Sequence, residues 1–300
     1  MGTGVVSKAK ERETSVISVT VFGLSDIGRV RKNNEDSFVV CDLSTGEMNP
    51  FRVEHSLGRQ GLLLLVADGM GGETCGEVAS NLCAEVIPRR LIENLTPADD
   101  SNLTNLPRHL QDAVEFANRI VFERAQCEDL CRGMGTTATA AAVVRDRLVV
   151  AQVGDSRAYL VRNGKMFQLT RDQTFLNYLA ERGAPLPPDP EKDSRRSILT
   201  QAVGTSKTLN VKLTAARLRA EDMVVLCSDG LYSMVKPAEM LEILKNGNTP
   251  RGRCKALIDA ANASGGADNV TAIVARVSGP GLAPVDPDAG IELEPSLSNI

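Results

Sequence analysis

The chain has 300 residues, of which 42% are hydrophobic and 24% are charged, and its formal net charge is −4. At this length a chain can bury a sizeable core without disulfides or structural metals. The acidic balance, an aromatic content of 3% and the lack of Trp argue against a nucleic-acid-binding protein, which needs a basic or base-stacking surface.

Hydrophobic patterning predicts a series of strands and four helices in chain order. Strands are predicted at 16–22, 37–41, 62–67, 138–144, 147–153, 157–161, 166–169, 223–227 and 270–277. Helices are predicted at 76–94, 107–126, 237–244 and 251–263. The strands occur in runs with paired helices between them, and this order is typical of an α+β fold with mostly antiparallel sheets.

The two ends of the chain differ in composition from the middle. Residues 278–300 contain four acidic residues, four prolines and no Lys or Arg, which predicts a flexible acidic tail. Residues 1–14 form a short polar segment with a net charge of +1. The remaining residues, 15–277, have a net charge of −1 and no internal linker or repeat, so we predict one domain there.

Four aspartates share one setting, next to the end of an apolar strand and beside or near a glycine. They are Asp68, Asp155, Asp229 and Asp268. A carboxylate in such a position is partly desolvated and needs a cation or hydrogen-bond donors. Several carboxylates together, with backbone carbonyls and waters, favour Mg²⁺ or Mn²⁺. Each aspartate taken singly could equally belong to a turn or a helix cap, but the set predicts a metal site.

A fifth polar segment, residues 25–36, places Arg31 four residues before the acidic pair Glu35 and Asp36. Arginine is suited to bidentate recognition of a phosphate group. The two acids could hold waters bound to a metal. The alternative is a charged turn between two strands.

Eight segments follow one another in a distinctive order. They are SDIGRVRKNNED (25–36), VADGMGG (66–72), GEVAS (76–80), GMGTTATAAAV (133–143), VGDSRAYLVRNG (153–164), LTRD (169–172), SDGL (228–231) and GADNVT (266–271). In this order they resemble the metal-dependent Ser/Thr protein phosphatases of type 2C, the PPM-type enzymes, and in their compact spacing the bacterial branch. The resemblance runs from about residue 18 to residue 276.

This resemblance implies a fold and an activity. The family fold is a sandwich of two antiparallel β-sheets flanked by pairs of helices, with a flap at about residues 173–200 beside the metals. The activity is hydrolysis of phosphoserine and phosphothreonine in proteins by a hydroxide that bridges two Mg²⁺ or Mn²⁺ ions. Phosphorylated proteins that are substrates of Ser/Thr kinases would be the partners.

The resemblance also implies roles for individual residues. Asp68 would bridge the two metals and the Gly69 carbonyl would bind one of them, while Asp229 and Asp268 would bind the other. The remaining assignments are Glu35 and Asp36 to metal-bound waters, Arg31 to the substrate phosphate, Asp155 to a third metal and Asn269 to orienting Asp268.

Two positions depart from the family pattern. Met70 and Gln173 stand where many relatives have His, and the His at the first position is a candidate general acid. The identity of the general acid is therefore open, and a metal-bound water is the expected proton source.

Other readings of the sequence compete with this one. On the same fold the chain could be a pseudophosphatase that binds phosphoproteins, or a phosphatase of small molecules. Cys83 and Arg89 match the C-x5-R spacing of Cys-dependent phosphatases, but they fall within a predicted helix. Cys127 and Cys131 lack a second ligand pair for zinc. The only two histidines, His55 and His109, lie outside the motifs.

The expected location is the cytoplasm. No apolar run is long enough to span a membrane, and the N-terminus lacks the apolar segment of a signal peptide. Seven cysteines without regular spacing suit a reducing compartment better than a disulfide framework. We expect a monomer without nucleic-acid or membrane partners.

Overall fold

The computed structural model describes residues 17–48, 54–71, 75–95, 102–190, 192–286, 290, 291 and 293. The predicted polar segment 1–14 lies outside them. Twelve strands are formed in this part of the chain: β1 Ser18–Asp26, β2 Asp36–Asp42, β3 Glu54–Ser56, β4 Leu62–Met70, β5 Gly135–Thr136, β6 Ala138–Val144, β7 Arg147–Val153, β8 Arg157–Arg162, β9 Lys165–Gln168, β10 Lys212–Arg217, β11 Met223–Cys227 and β12 Val270–Ser278. The helices are α1 Cys75–Asn94, α2 Asn102–Cys127, α3 Phe175–Glu181, α4 Asp229–Tyr232, α5 Pro237–Asn246 and α6 Pro250–Ala263, with a 3₁₀ turn at Asp129–Cys131.

The strands form two antiparallel sheets. One has the order β3-β1-β12-β11-β8-β9, and the other has the order β10-β7-β6-β4-β2 with β5 paired to the end of β4. Every strand pair is antiparallel. The α+β sandwich predicted from the sequence is therefore confirmed.

The leucine run of β4 shows why the sheets stack into layers. Leu62 and Leu64 point into the core between the two sheets, while Leu63 and Leu65 point into the core under α1 and α2. Because alternate side chains of a strand face opposite sides, a strand covered on both faces must be apolar throughout. Each of these leucines is at most 1% exposed, and burying one contributes about 2 kcal/mol.

A third core lies on the outer face of the other sheet. It packs residues of β11 and β12 against α5 and α6. Thr249 caps α6, because its hydroxyl accepts a hydrogen bond from the Gly252 backbone N–H at 3.1 Å. The order of layers is thus helices, sheet, sheet and helices.

The segment predicted as a flexible tail includes residues that contact the domain. Leu282 is buried and, with Ile291, belongs to the core between the sheets. Leu293 pairs with Ala216 of the edge strand β10 in an antiparallel bridge. Of the tail, residues 287–289, 292 and 294–300 lie outside the described part of the chain. Among the described residues, none of the helices combines the length and the apolar character that crossing a bilayer demands.

Candidate active site

A cleft of about 990 Å³ opens at one end of the sandwich, between the loops that join the two sheets. Most of the site residues predicted from the sequence line it. Six of them are Arg31, Glu35, Asp68, Asp155, Asp229 and Asp268. The structure therefore brings together groups that are up to 237 residues apart in the chain.

Asp68 lies near the end of β4, and its backbone is fixed from the opposite strand. The Asp68 N–H donates to the Thr137 hydroxyl at 2.9 Å, and its carbonyl accepts from the Thr137 N–H at 2.8 Å and the Thr136 hydroxyl at 2.9 Å. Burial raises the pKa of Asp68 well above its usual range, and the nearby charges of Asp36 and Asp229 raise it further. A buried carboxylate among other carboxylates calls for a cation to neutralise it.

Asp36 pairs with Asp68 across β2 and β4 and lies beneath the cleft. Its Oδ2 accepts hydrogen bonds from the hydroxyls of Ser228 and Thr271, each at 2.7 Å, so one carboxylate ties β2 to the other sheet. Its Oδ1 is buried without a hydrogen-bond partner. Burial raises the pKa of Asp36 to about 7, although the two hydroxyl bonds oppose the rise. The free oxygen is the type of atom that a cation or its water would satisfy.

Asp229 and Asp268 approach the cleft from the ends of neighbouring strands. Asp229 begins the short helix α4 directly after β11, and Asp268 precedes β12. Burial, followed by the charge of Asp268, raises the pKa of Asp229. Asp268 accepts a hydrogen bond from Arg31 Nη2 at 2.7 Å, and both side chains remain partly exposed. The guanidinium predicted to hold phosphate therefore pairs with a carboxylate that is predicted to bind a metal.

Asn269 organises the loop that contains Arg31 and Glu35. Its side-chain NH₂ donates to the carbonyls of Ile27 at 3.0 Å and Asn33 at 2.9 Å, and its Oδ1 accepts from the Glu35 N–H at 2.8 Å. Its own backbone N–H donates to Asp268 Oδ1 at 2.8 Å. The side chain thus fixes the loop, and the contact with Asp268, which Asn269 was predicted to orient, is made by the backbone.

Close backbone approach explains the glycines around Asp68. A Cβ on Gly69 would lie 2.1 Å from the Gly76 carbonyl oxygen, and a Cβ on Gly76 would lie 2.7 Å from Glu35 Oε1. The N-terminus of α1 is therefore pressed against both Gly69 and Glu35. Any larger residue at position 69 or 76 would push the helix away from the cleft.

Asp155 lines the cleft directly after the turn that follows β7, and it is 7% exposed. Burial raises its pKa to about 7, with the charge of Asp229 adding to the effect and a hydrogen bond with Tyr232 opposing it. The Tyr232 ring is covered by Arg157, whose Cζ lies 3.5 Å from the ring centroid. Arg157 in turn donates to both carboxylate oxygens of Asp172, from Nε at 3.0 and 3.1 Å and from Nη2 at 2.6 Å. The sequence did not indicate that Tyr232, Arg157 and Asp172 support Asp155.

Gln173 connects the Asp155 turn with the flap. Its Oε1 accepts from the Gly154 N–H at 2.8 Å, and its Nε2 donates to the Asn210 carbonyl at 3.0 Å. Its backbone carbonyl accepts from the Thr200 N–H at 2.8 Å. Leu199, the next residue along the flap, lines the cleft. Gln173 is therefore engaged in holding structure together, and it has no acidic proton to give.

The alternative nucleophiles lie away from the cleft. Cys83 is fully buried in α1, and burial raises the pKa of its thiol to about 12, which keeps it protonated at neutral pH. His109 lies on α2, and the backbone of His55 pairs with Val19 in β3. His109 is not among the described residues that line the cleft.

Two cysteines are joined in a disulfide that the sequence did not predict. Cys75, at the start of α1, is bonded to Cys131, with 5.3 Å between the two Cα atoms. Cys131 is therefore not a zinc ligand alongside Cys127. An odd number of cysteines with irregular spacing contains no information on which two residues meet.

The donor set fits hard divalent cations. The converging acidic side chains all offer oxygen, and one buried oxygen of Asp36 has no partner. Among the residues described, no three carboxylates, imidazoles or thiols already stand close enough to form a complete metal-binding group. Asp268 instead pairs with Arg31, and carbonyls and waters would supply the remaining ligands.

Comparisons with known proteins agree with this geometry. The family model described as Protein phosphatase 2C matches residues 43–250. The serine/threonine phosphatase stp of Listeria innocua is 34% identical over 83% of this chain and 92% of its own length. The serine/threonine protein phosphatase PstP of Mycobacterium tuberculosis is 35% identical over 84% of this chain, which matches 44% of PstP.

Solved structures give the same result. The crystal structure of the Mycobacterium tuberculosis phosphatase PstP/Ppp superposes with a TM-score of 0.73 at 34% identity, over 87% of this chain and 99% of that one. A second structure, the catalytic domain of PstP in complex with two manganese ions, superposes with a TM-score of 0.70 at 33% identity over the same shares. The chain described here therefore belongs to the protein phosphatase 2C family and is a serine/threonine phosphatase of the bacterial type.

Proposed function

We propose that this enzyme hydrolyses phosphoserine and phosphothreonine in proteins with two divalent cations, Mn²⁺ or Mg²⁺. The single observation that supports this best is the convergence of five acidic side chains and one arginine on the same cleft. The complex of PstP with two manganese ions supports the number and the type of cation.

We assign the ligands as the resemblance to the family implies. Asp68 would be shared between the two cations, and the Gly69 carbonyl would bind one of them. Asp229 and Asp268 would bind the other. Glu35 and Asp36 would act through waters, and Asp155 could hold a third cation.

When bound, the cations supply Lewis-acid activation of a water, which is the nucleophile for in-line attack on phosphorus. The chain itself orients the phosphate. The Arg31 guanidinium, released from Asp268 when that carboxylate binds a cation, can donate two hydrogen bonds to non-bridging phosphate oxygens. This contact stabilises the negative charge of the phosphoryl group.

The proton for the leaving Ser or Thr oxygen comes from water in the cleft. Met70 lines the cleft and has no proton to give, and the Gln173 amide is engaged with Gly154 and Asn210. The structure therefore assigns no substitute at either position for the histidines that many relatives have there. We predict, in addition, that the enzyme is a cytoplasmic monomer and that its substrates are proteins phosphorylated by Ser/Thr kinases.

A turnover assay separates this proposal from its two alternatives. The chain is treated with chelator and assayed with and without added Mn²⁺ on phosphothreonine peptide, phosphotyrosine peptide and an aryl phosphate. We expect Mn²⁺-dependent release of phosphate with a preference for phosphothreonine over phosphotyrosine. Tight peptide binding without turnover would indicate a pseudophosphatase, and turnover of the aryl phosphate alone would indicate an enzyme of small molecules.

A further inference from the structure

The disulfide between Cys75 and Cys131 lies outside the lining of the cleft but close to it in the chain, because Gly71, which lines the cleft, is four residues before Cys75. It closes a loop with a sequence separation of 56 residues, which contains both α1 and α2. Both cysteines are nearly buried, at 4% and 6% exposure. The other cysteines are free, and of these only Cys127 is exposed: Cys41, Cys83, Cys127, Cys227 and Cys254.

The disulfide joins two segments that are also paired beside Asp68. Gly69 and Met70, at the end of β4, pair with Thr136 and Gly135 of β5. Cys75 follows the first segment and Cys131 precedes the second by only a few residues. The covalent bond and the strand pair therefore close a small ring directly after the aspartate that is proposed to be shared by both cations.

The same bond holds the N-terminus of α1 against two further proposed ligands. Gly76, the residue next to Cys75, packs closely on Gly69. A Cβ on Gly69 would lie 2.1 Å from the Gly76 carbonyl oxygen. A Cβ on Gly76 would in turn lie 2.7 Å from Glu35 Oε1. Motion at Cys75 would therefore alter the position of the Gly69 carbonyl and the Glu35 carboxylate together.

We propose that the Cys75–Cys131 disulfide positions the Gly69 carbonyl and the Glu35 carboxylate for cation binding, and that its reduction by a dithiol weakens this binding. This inference rests on the proposed function. In the reaction, one thiolate of the reductant attacks a protein sulfur, forms a mixed disulfide and releases the other cysteine as a thiolate, which takes up a proton. The second thiol of the reductant then closes its own disulfide, so the protein gains two electrons and two protons. Because both sulfurs are nearly buried, we expect exchange to be slow in the folded enzyme.

Intact-mass measurement after alkylation under denaturing conditions tests the bond itself. In enzyme prepared without a thiol reductant, five cysteines should be alkylated, which matches the free ones, and all seven should be alkylated after reduction. Alkylation of all seven before reduction would overturn the proposal.

Calorimetric titration with Mn²⁺ tests the positioning role without using activity. We expect the reduced wild type, Cys75→Ser and Cys131→Ser each to bind Mn²⁺ about tenfold more weakly than the oxidised wild type, at the lower end of the effect of groups that orient metal ligands. Cys127→Ser is the matched control, since it removes an exposed free thiol near Cys131, and it should bind as the wild type does.

Thermal melts in chelator distinguish this role from simple stabilisation. A lower melting temperature with an unchanged Mn²⁺ affinity in the reduced wild type would overturn the positioning role and leave the proposed function intact. Absence of Mn²⁺ binding in every form, oxidised wild type included, would overturn the proposed function and this inference with it.

Discussion

The floor of the cleft, formed by the buried carboxylates Asp36, Asp68 and Asp229, and the flap beside it, at about residues 173–200, are built in different ways. On the floor, Asp36 is buried and bonded to hydroxyls of the opposite sheet. On the flap, Leu186 and Ile198 remain 44% and 50% exposed, and the two ends of the flap are joined to each other by the hydrogen bond from the Thr200 N–H to the Gln173 carbonyl. A rigid floor is what metal chemistry needs, because small displacements of ligands reduce the rate steeply. An exposed flap is better suited to contact with substrates of varied sequence.

The largest effect should come from a change on the floor. We expect Asp68→Asn to lower kcat by at least about a thousandfold, because a neutral amide cannot neutralise two cations. Asp229→Asn and Asp268→Asn should behave alike in the same steady-state assay. Asp146→Asn, a matched control at an exposed position paired with Arg217, should keep full activity. A loss below about tenfold would exclude the residue from the site.

Arg31 tests whether substrate binding can be separated from the metal site. Arg31→Ala should cost about 2 to 3 kcal/mol, a factor of about 30 to 150 in kcat/KM, and mostly in KM because the contact forms before the transition state. Arg31→Lys should recover only part of the loss. The Mn²⁺ concentration for half-maximal activity should not rise, since Arg31 competes with the cation for Asp268. A strong rise would contradict the phosphate assignment.

Gln173 lies between the two regions and should show an intermediate effect. Gln173→Ala leaves the Gly154 N–H without its acceptor, and losing one such bond costs about 0.5 to 1.5 kcal/mol, or roughly 2- to 12-fold. We expect this loss in Mn²⁺ affinity, measured by calorimetry, together with faster trypsin cleavage at Arg195 and Arg196 of the flap. Gln173→Glu keeps the acceptor and should retain more of the affinity. Gln126→Ala, at an exposed position of α2, is the control, and equal behaviour of the two alanine variants would refute the connection.

The buried carboxyl groups of Asp36 and Asp155 should make the stability of the metal-free protein depend on pH. The pKa values of Asp36 and Asp155 are each raised to about 7 in the folded state, from an ordinary value of 3.8. The folded state therefore holds protons that the unfolded chain releases between about pH 4 and 7, and its stability should fall as the pH rises through that window.

Melting temperatures in chelator at pH 5 and pH 8 check this dependence. Asp155→Asn, which cannot ionise, should flatten it. Added Mn²⁺ should raise the melting temperature more at pH 8 than at pH 5, because protons compete with the cation for the same carboxylates. A metal-free protein that becomes more stable from pH 5 to pH 8 would contradict the pKa shifts.

The smallest effect on activity is expected for Cys83, His55 and His109, to which the proposed mechanism gives no chemical role. Cys83→Ser and the double replacement of His55 and His109 by Asn should leave kcat/KM within about threefold in protein that is correctly folded. The Cys83 thiol is protonated and fully buried, so it cannot act as a nucleophile. A large loss of activity with an unchanged melting temperature would revive the Cys-dependent mechanism.

The sequence predicted the strongly patterned parts of the fold well. The alternation of Leu62 to Leu65 between two cores explains why an uninterrupted apolar run marks a strand covered on both faces. Two strands with weaker patterns were not predicted. On one face of β10, which has the sequence KLTAAR, alanine is the one apolar residue, and β5 is two residues long. Helix α2 begins at Asn102, five residues before the predicted start at Pro107, which lies inside the helix.

Within the site, the sequence indicated the charged groups and Asn269, but not the other neutral side chains that hold them. The aspartates stand out because a carboxylate at the end of an apolar strand is unusual. By contrast, Ser228, Thr271 and Gln173 are ordinary polar residues whose role depends on contacts distant in sequence. The Cys75–Cys131 pair is likewise visible only after the fold brings α1 beside the 3₁₀ turn.

Anomalous diffraction from crystals soaked in Mn²⁺ tests the central claim most directly. The claim is that the buried carboxylates of the floor form a site for two divalent cations around Asp68. We expect two manganese peaks within about 2.3 Å of Asp68 oxygens, one of them also bound by Asp229 and Asp268, and the Arg31 side chain released from Asp268. Manganese density only at surface carboxylates, with Arg31 still paired to Asp268, would contradict the account.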